Sequence, residues 1–409
     1  MMRIDKELKT GMPSYCTGNP YVIQSLIRIY KNNQRPLLLE ATANQVNQYG
    51  GYTGKTPQQF KEEVVEVANS CGFEVSRLIF GGDHLGPLVW RNEEANQAMD
   101  KAEELVREFA KAGYSKIHLD TSMQLGHERD EGFLSVKTIA QRGLRLYKAC
   151  QEVLPKGSKC VYIIGSEVPF PGGETKCDHM EVTHPKDAMD TISIYKKEFE
   201  RGGITEKEFD ENILAIVVQP GVEFTKDKVF QYCSEKAKNL MSVPRGDLIY
   251  EGHSTDYQKV TSLQEMVKDG VKILKVGPEL TFIFRAALER LENFEKNFVD
   301  SKECSCFSEA LQKAMNDEPK YWEGYYSSGK EKDFQYSYLD RSRYYLTNPT
   351  VQKAIEVLKK NVNSIGHDAL VMKYFPELCA DVIDGNLFET LIDRSIGSVV
   401  EKYENAFQK

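Results

Sequence analysis

The sequence predicts an α/β fold, a (β/α)8 barrel with a helical C-terminal extension, and three observations predict it. Short runs rich in Val, Ile and Leu recur eight times and end in polar residues, amphipathic stretches separate them, and the rhythm stops near residue 295. The first run, "GMPSYCTGN" (11–19), carries Pro13 and a turn-like end, both unfavourable inside a strand. "PLLLEATAN" (36–44), "RLIFGGDH" (77–84), "KIHLDTS" (116–122) and "KCVYIIGSE" (159–167) follow, then "LAIVVQPG" (214–221), "DLIYEGHS" (247–254) and "KILKVGPE" (272–279). Stretches such as "PQQFKEEVVEVANSCGF" (57–73) and "NEEANQAMDKAEELVREFAKAGY" (92–114) supply the crossover helices that parallel strands require. The barrel therefore takes residues 1–295. Residues 296–409 begin aromatic and charged, turn helical from "PTVQKAIEVLKKNVNSIG", and read as an extension packed on the barrel.

Composition narrows the function. A formal charge of -8 gives no general attraction for nucleic acid or an anionic membrane, and no apolar run approaches the roughly 20 residues of a membrane span. The N-terminal "MMRIDKELKTG" lacks the apolar core of a signal peptide, so a cytoplasmic protein is expected. Nine scattered cysteines, with Cys304 and Cys306 the one close pair, suggest neither a disulfide framework nor a cysteine zinc site.

"QYGGYTGKTP" (48–57) imitates a nucleotide-binding loop. A Walker loop needs G-x-x-x-x-G-K-[ST] at a strand tip, but the first glycine position holds Tyr49 and the preceding strand ends well before Gly54. Thr56, Pro57 and Gln59 instead have the N-cap, N1 proline and N3 glutamine of a capping box. No nucleotide is expected. The stretch becomes a loop at the C-terminal end of strand two, carrying Glu40, Asn44, Gln45, Gln48 and Tyr52 on the face where barrels place their active sites.

Polar residues gather at the other strand ends. Asp83 and His84 end strand three, Asp120 strand four, Glu167 strand five, Gln219 strand six and His253 strand seven. Imidazoles and carboxylates converging without cysteine suit a divalent metal, zinc first, with manganese or cobalt as alternatives. His118 precedes Asp120 by two residues and shares its face. His118, His127, His179, His184 and His367 are each weak candidates on their own.

These residues also carry a resemblance. "GDH", "HLDTS", "SEVPFPGGE", "GHS" and "KVGPEL" in this order resemble the class II fructose- or tagatose-bisphosphate aldolases. "LLLEATANQVNQYGGYTGKTP", "GGDHLGP" and "DRSRYY" resemble, over essentially the whole chain, the accessory-subunit family of tagatose-bisphosphate aldolase (GatZ/KbaZ type). Names within that family range from tagatose 6-phosphate kinase to non-catalytic aldolase subunit and ketohexose-phosphate 4-epimerase. The resemblance implies Asp83 as general acid/base, joined by Asp120 and Glu174 as catalytic candidates, and His84, Glu167 and His253 as metal ligands. Three departures accompany it. Gln219 replaces a further metal-binding histidine, "STDYQ" replaces a glycine-rich phosphate loop, and Gly277 replaces an asparagine. The first implies weaker metal affinity or a changed metal preference, and the other two disfavour a ketose 1,6-bisphosphate as substrate.

The C4 hydrogen of a 2-ketose is not alpha to its carbonyl, so inversion there needs either a nicotinamide or cleavage and re-formation of C3–C4. No G-x-G-x-x-G follows a strand, which leaves the retro-aldol route. Glu40, Asn44, Gln45, Gln219, Ser254 and Lys275 are candidate substrate contacts, and Arg341 and Arg343 candidate phosphate ligands. Two expectations follow: a metal-dependent epimerase of tagatose 6-phosphate and fructose 6-phosphate or the free ketoses, or a non-catalytic subunit stabilising a class II tagatose-bisphosphate aldolase. A homo-oligomer is compatible with either.

Overall fold

The computed structural model describes residues 4–130, 133–168, 180–326, 331–365, 368–378 and 386–408. Each of the eight apolar runs contributes a strand: β1 (Met12–Cys16), β2 (Leu37–Thr42), β3 (Leu78–Leu85), β4 (Lys116–Leu119), β5 (Val161–Ile164), β6 (Ile213–Val218), β7 (Ile249–Gly252) and β8 (Val271–Val276). They form a closed parallel barrel in which every strand lies beside its sequence neighbours and β8 closes on β1. Pro13 lies inside β1 after all. It has no N–H to give, and β1 pairs with β2 only from Tyr15 onward.

Alternation along the strands builds the interior in layers. The lowest is apolar, with Met12, Leu38, Ile79, Val161, Ile249 and Ile273, and Leu8 of the N-terminal helix Ile4–Thr10 packs into it from below. The outward side chains meet the surrounding helices in a second, larger core. Full burial of each large apolar side chain contributes about 1.5–3 kcal/mol, so this double core carries the fold.

The C-terminal helix Leu387–Ala406 packs on the helices Pro20–Lys31, Val260–Asp269 and Pro278–Glu295, bridging the first and last barrel units. Arg28 holds its Asp393 through two hydrogen bonds of 2.6 Å, and Arg35 reaches Glu404 at 2.7 Å. A two-stranded antiparallel hairpin, Glu223–Phe224 with Val229–Phe230, decorates the loop after β6. Its arms are too short for a period-two signal, so the sequence shows no strand there. Among the described residues no helix is long and apolar enough to cross a membrane.

Candidate metal centre

β3 supplies two consecutive functional side chains, which a regular strand would send to opposite faces. The β3–β4 register shifts between Gly82 and Leu85, and His84 adopts a left-handed φ of 47°. That bulge turns both Asp83 and His84 toward the mouth. β4 contributes His118 and, just past its end, Asp120; β7 leads into His253. The three imidazoles form a near-equilateral triangle with centroid separations of 4.8, 4.9 and 5.1 Å. One ligand atom from each of Asp83, His84, His118 and His253 lies within 4.8 Å of the others.

The protons on these rings follow from their partners. His84 donates through Nδ1 to Asp120, 2.8 Å away, and His253 donates through Nε2 to Glu251 at 2.9 Å. Carboxylates behind imidazoles are the usual orienting partners of metal-bound histidines. The remaining nitrogens, Nε2 of His84 and Nδ1 of His253, then face each other at 3.2 Å. Two lone pairs at that distance repel unless a cation or a proton lies between them. Two nitrogens of a tetrahedral zinc site, each at about 2.0–2.1 Å from the ion, stand about 3.3 Å apart. Among the described residues, the buried Nε2 of His118 has no hydrogen-bond partner.

Charge points the same way. Glu40, Asp83, Asp120 and Glu251 are buried in the mouth and the layer beneath it, against the buried ammonium groups of Lys116 and Lys275. Lys116 reaches Glu40 at 2.6 Å and Glu251 at 2.8 Å; Lys275 reaches Asp83 at 2.9 Å and also pairs with Glu40. Four carboxylates against two ammonium groups leave two negative charges, the complement of a divalent cation. Gly81 makes the layer possible, because a Cβ there would stand 2.5 Å from the Glu40 carboxylate.

Burial pushes Asp83 up, but Lys275 and His84 outweigh it and hold the carboxyl well below its ordinary value. Asp120 is held at about 2, its bond to His84 overcoming burial. Burial also opposes charge on His84, yet Asp83 and Asp120 raise its pKa, whereas burial lowers His253 to about 3.

The candidates of the sequence divide. Asn44, Gln45, Ser254, Lys275 and Arg343 line one cavity with Asp83, His84 and His253. Asp120 stands behind His84, and Glu40 lies beneath as an ion-pair partner of both lysines. Glu167 is outside the metal group: it is exposed, three residues past β5, and accepts from Thr183 at 2.5 Å. Gln219 accepts the backbone N–H groups of Gly221 and Val222, capping its own turn. Arg341 donates to the Tyr321 carbonyl at 2.6 Å and lines a neighbouring cavity with Asn47 and Tyr325. Glu174, His179 and His367 lie outside the described residues.

Thr56 is the N-cap of the helix Pro57–Cys71, and the capping box with Gln59 is present. Tyr52, in the loop before it, packs edge-on against Tyr344 with centroids 4.9 Å apart and lines the cavity of the metal group. Tyr344 receives Arg341 and Arg343 at 3.3 and 3.2 Å, and these two cations overcome burial to lower its pKa. Lys116, Glu251 and Asp256 were missed by sequence reasoning. Charged residues at alternate positions of one strand, Lys116, His118 and Asp120, are the signal that could have found the first of them.

The family described as "D-tagatose-1,6-bisphosphate aldolase subunit GatZ/KbaZ-like" matches residues 1–408. The chain is 39% identical over 385 residues to the D-tagatose-1,6-bisphosphate aldolase subunit GatZ of Escherichia coli K12, covering 92% of this chain and 91% of that one. It is 38% identical, at the same coverage, to the protein of that name in Shigella boydii serotype 18. A crystal structure from Sinorhizobium meliloti 1021, titled a probable tagatose 6 phosphate kinase, superposes with a TM-score of 0.85 at 34% identity, over 97% of this chain and 100% of that one.

Proposed function

The chain belongs to the GatZ/KbaZ-like family of D-tagatose-1,6-bisphosphate aldolase subunits, and from that premise we propose that it works in the cytoplasm as the accessory subunit of a class II aldolase. The observation that carries this reading is the length of the match, which runs through the C-terminal helices as well as the barrel. The test is co-expression with a class II tagatose-bisphosphate aldolase chain. Co-purification and a longer half-life of aldolase activity are expected; independent elution with an unchanged half-life would end the reading.

A second reading is favoured by the imidazole triangle and its two excess negative charges: aldol chemistry on a ketose phosphate at this mouth. His84, His118 and His253 would hold a divalent ion, zinc by their donor chemistry, or manganese or cobalt. Such an ion supplies Lewis-acid polarisation of a ketose carbonyl. Asp83, kept ionised beside Lys275, takes the C4 hydroxyl proton as C3–C4 breaks and returns it after re-addition to the other face. Tagatose 6-phosphate and fructose 6-phosphate, or the free ketoses, would interconvert. Arg343, with Tyr52 and Tyr344 beside it, is the proposed anchor for the C6 phosphate. The division into a barrel, 1–295, and a packed extension, 296–409, belongs to the same proposal. C4 exchange followed by NMR on metal-loaded protein tests it, and absence of exchange with both phosphorylated and free ketoses would overturn it.

A further inference from the structure

In barrels of this kind the loops after strands seven and eight, with a neighbouring helix N-terminus, form a ready phosphate site. Here β8 runs through Gly277 into the helix Pro278–Glu295, whose first N–H groups need partners. They have one from within the chain. Oδ1 of Asp256 accepts the backbone N–H of Gly277 and of Glu279, each at 2.9 Å. Asp256 is 3% exposed, and it borders the cavity that also holds Asp83, His84 and His253.

The seat of this carboxylate is fixed from several sides. Ser254 and Tyr257 both take left-handed backbone angles, with φ of 53° and 61°, and so bend the loop around residue 256. Thr255 donates its hydroxyl to the Lys275 carbonyl at 2.5 Å and accepts Tyr403 of the C-terminal helix on its own carbonyl at 2.7 Å. Glu279 accepts the Tyr257 N–H at 2.8 Å and pairs with Lys402. A phosphate at this corner would have to displace Asp256 and then lie beside Glu279.

We propose that the Asp256 carboxyl is a built-in occupant of the barrel's phosphate position, so that the mouth refuses a phosphate at the β7–β8 corner and selects against ligands phosphorylated at both ends. Burial, and after it Glu279, push the Asp256 carboxyl up to about 7, so negative charge is disfavoured in this seat. Only the identity of the ligand as a ketose monophosphate rests on the second reading above.

The test is calorimetric titration of the full chain with inorganic phosphate, comparing wild type, Asp256→Gly and Asp256→Ser. Each variant is expected to bind one phosphate more per chain than wild type, with at least a tenfold gain in affinity at that added site. The wild-type count reports separately on Arg343, so the two ideas fail independently. Equal phosphate binding by folded variants and wild type would overturn the proposal. Should neither variant fold, wild-type protein carrying isotope-labelled glycine supplies the answer by NMR. An unshifted Gly277 amide under saturating phosphate is expected, and a saturable shift would overturn the proposal.

Discussion

Two sets of strand ends on the barrel rim carry similar polar residues yet use them differently. At the ends of β3, β4 and β7, Asp83, His84, His118 and His253 converge within 4.8 Å above a buried charged layer. At the ends of β5 and β6, which lie between β4 and β7, Glu167 is exposed and Gln219 caps a turn. What separates them is a buried partner: His84 and His253 each donate to a buried carboxylate, Asp120 and Glu251. A strand-end side chain becomes part of a site when an inward neighbour fixes its orientation.

The sharpest way to break the converging set is from beneath. Lys116→Met removes the ammonium shared by Glu40 and Glu251 and leaves Glu40 to Lys275 and Glu251 to His253 alone, so a loss of about 3–5 kcal/mol in urea denaturation is expected. Asp120→Asn keeps the shape but weakens the orientation of His84; metal affinity measured with a competing chelator should fall about 10- to 100-fold. Gln219→Ala at the end of β6 should leave metal affinity unchanged.

The corner beside this site gives a pH signature of its own. A carboxyl with a folded pKa of about 7 against an ordinary 3.8 loses stability as pH rises between those values, because the unfolded chain releases its proton first. Asp256→Asn can still accept both N–H groups and carries no charge. Its stability relative to wild type, from denaturation across pH, should therefore grow from about pH 4 to about pH 7 and then level off. A parallel pair of curves would show that Asp256 is not the titrating group. The smallest effect belongs to the loop: Thr56→Ala removes the cap of Pro57–Cys71 and should lower stability by about 1 kcal/mol.

Local patterns made the barrel legible: eight apolar runs became eight strands, and Thr56, Pro57 and Gln59 became the capping box. The β3 and β7 site residues were equally visible, because "GDH" and "GHS" end apolar runs. Lys116, Glu251 and Asp256 were not, since their meaning depends on partners far away in the chain. Lys116 reads as the polar start of a strand until β2 and β7 bring Glu40 and Glu251 against it. His118 looked weak for the same reason: its bond to Asp83 at 3.1 Å crosses from β4 to β3. Glu167 looked strong because it ends an apolar run, but β5 stops at Ile164 and leaves it exposed and apart from the metal group.

Metal content of the purified full chain tests the account most directly, with wild type, His84→Ala/His253→Ala and Glu167→Ala stripped by chelator, reloaded and measured by elemental analysis. One divalent ion per chain is expected in wild type and in Glu167→Ala, and none in the double variant. Wild-type protein without stoichiometric metal, or a double variant that keeps it while Glu167→Ala loses it, would contradict the site described above.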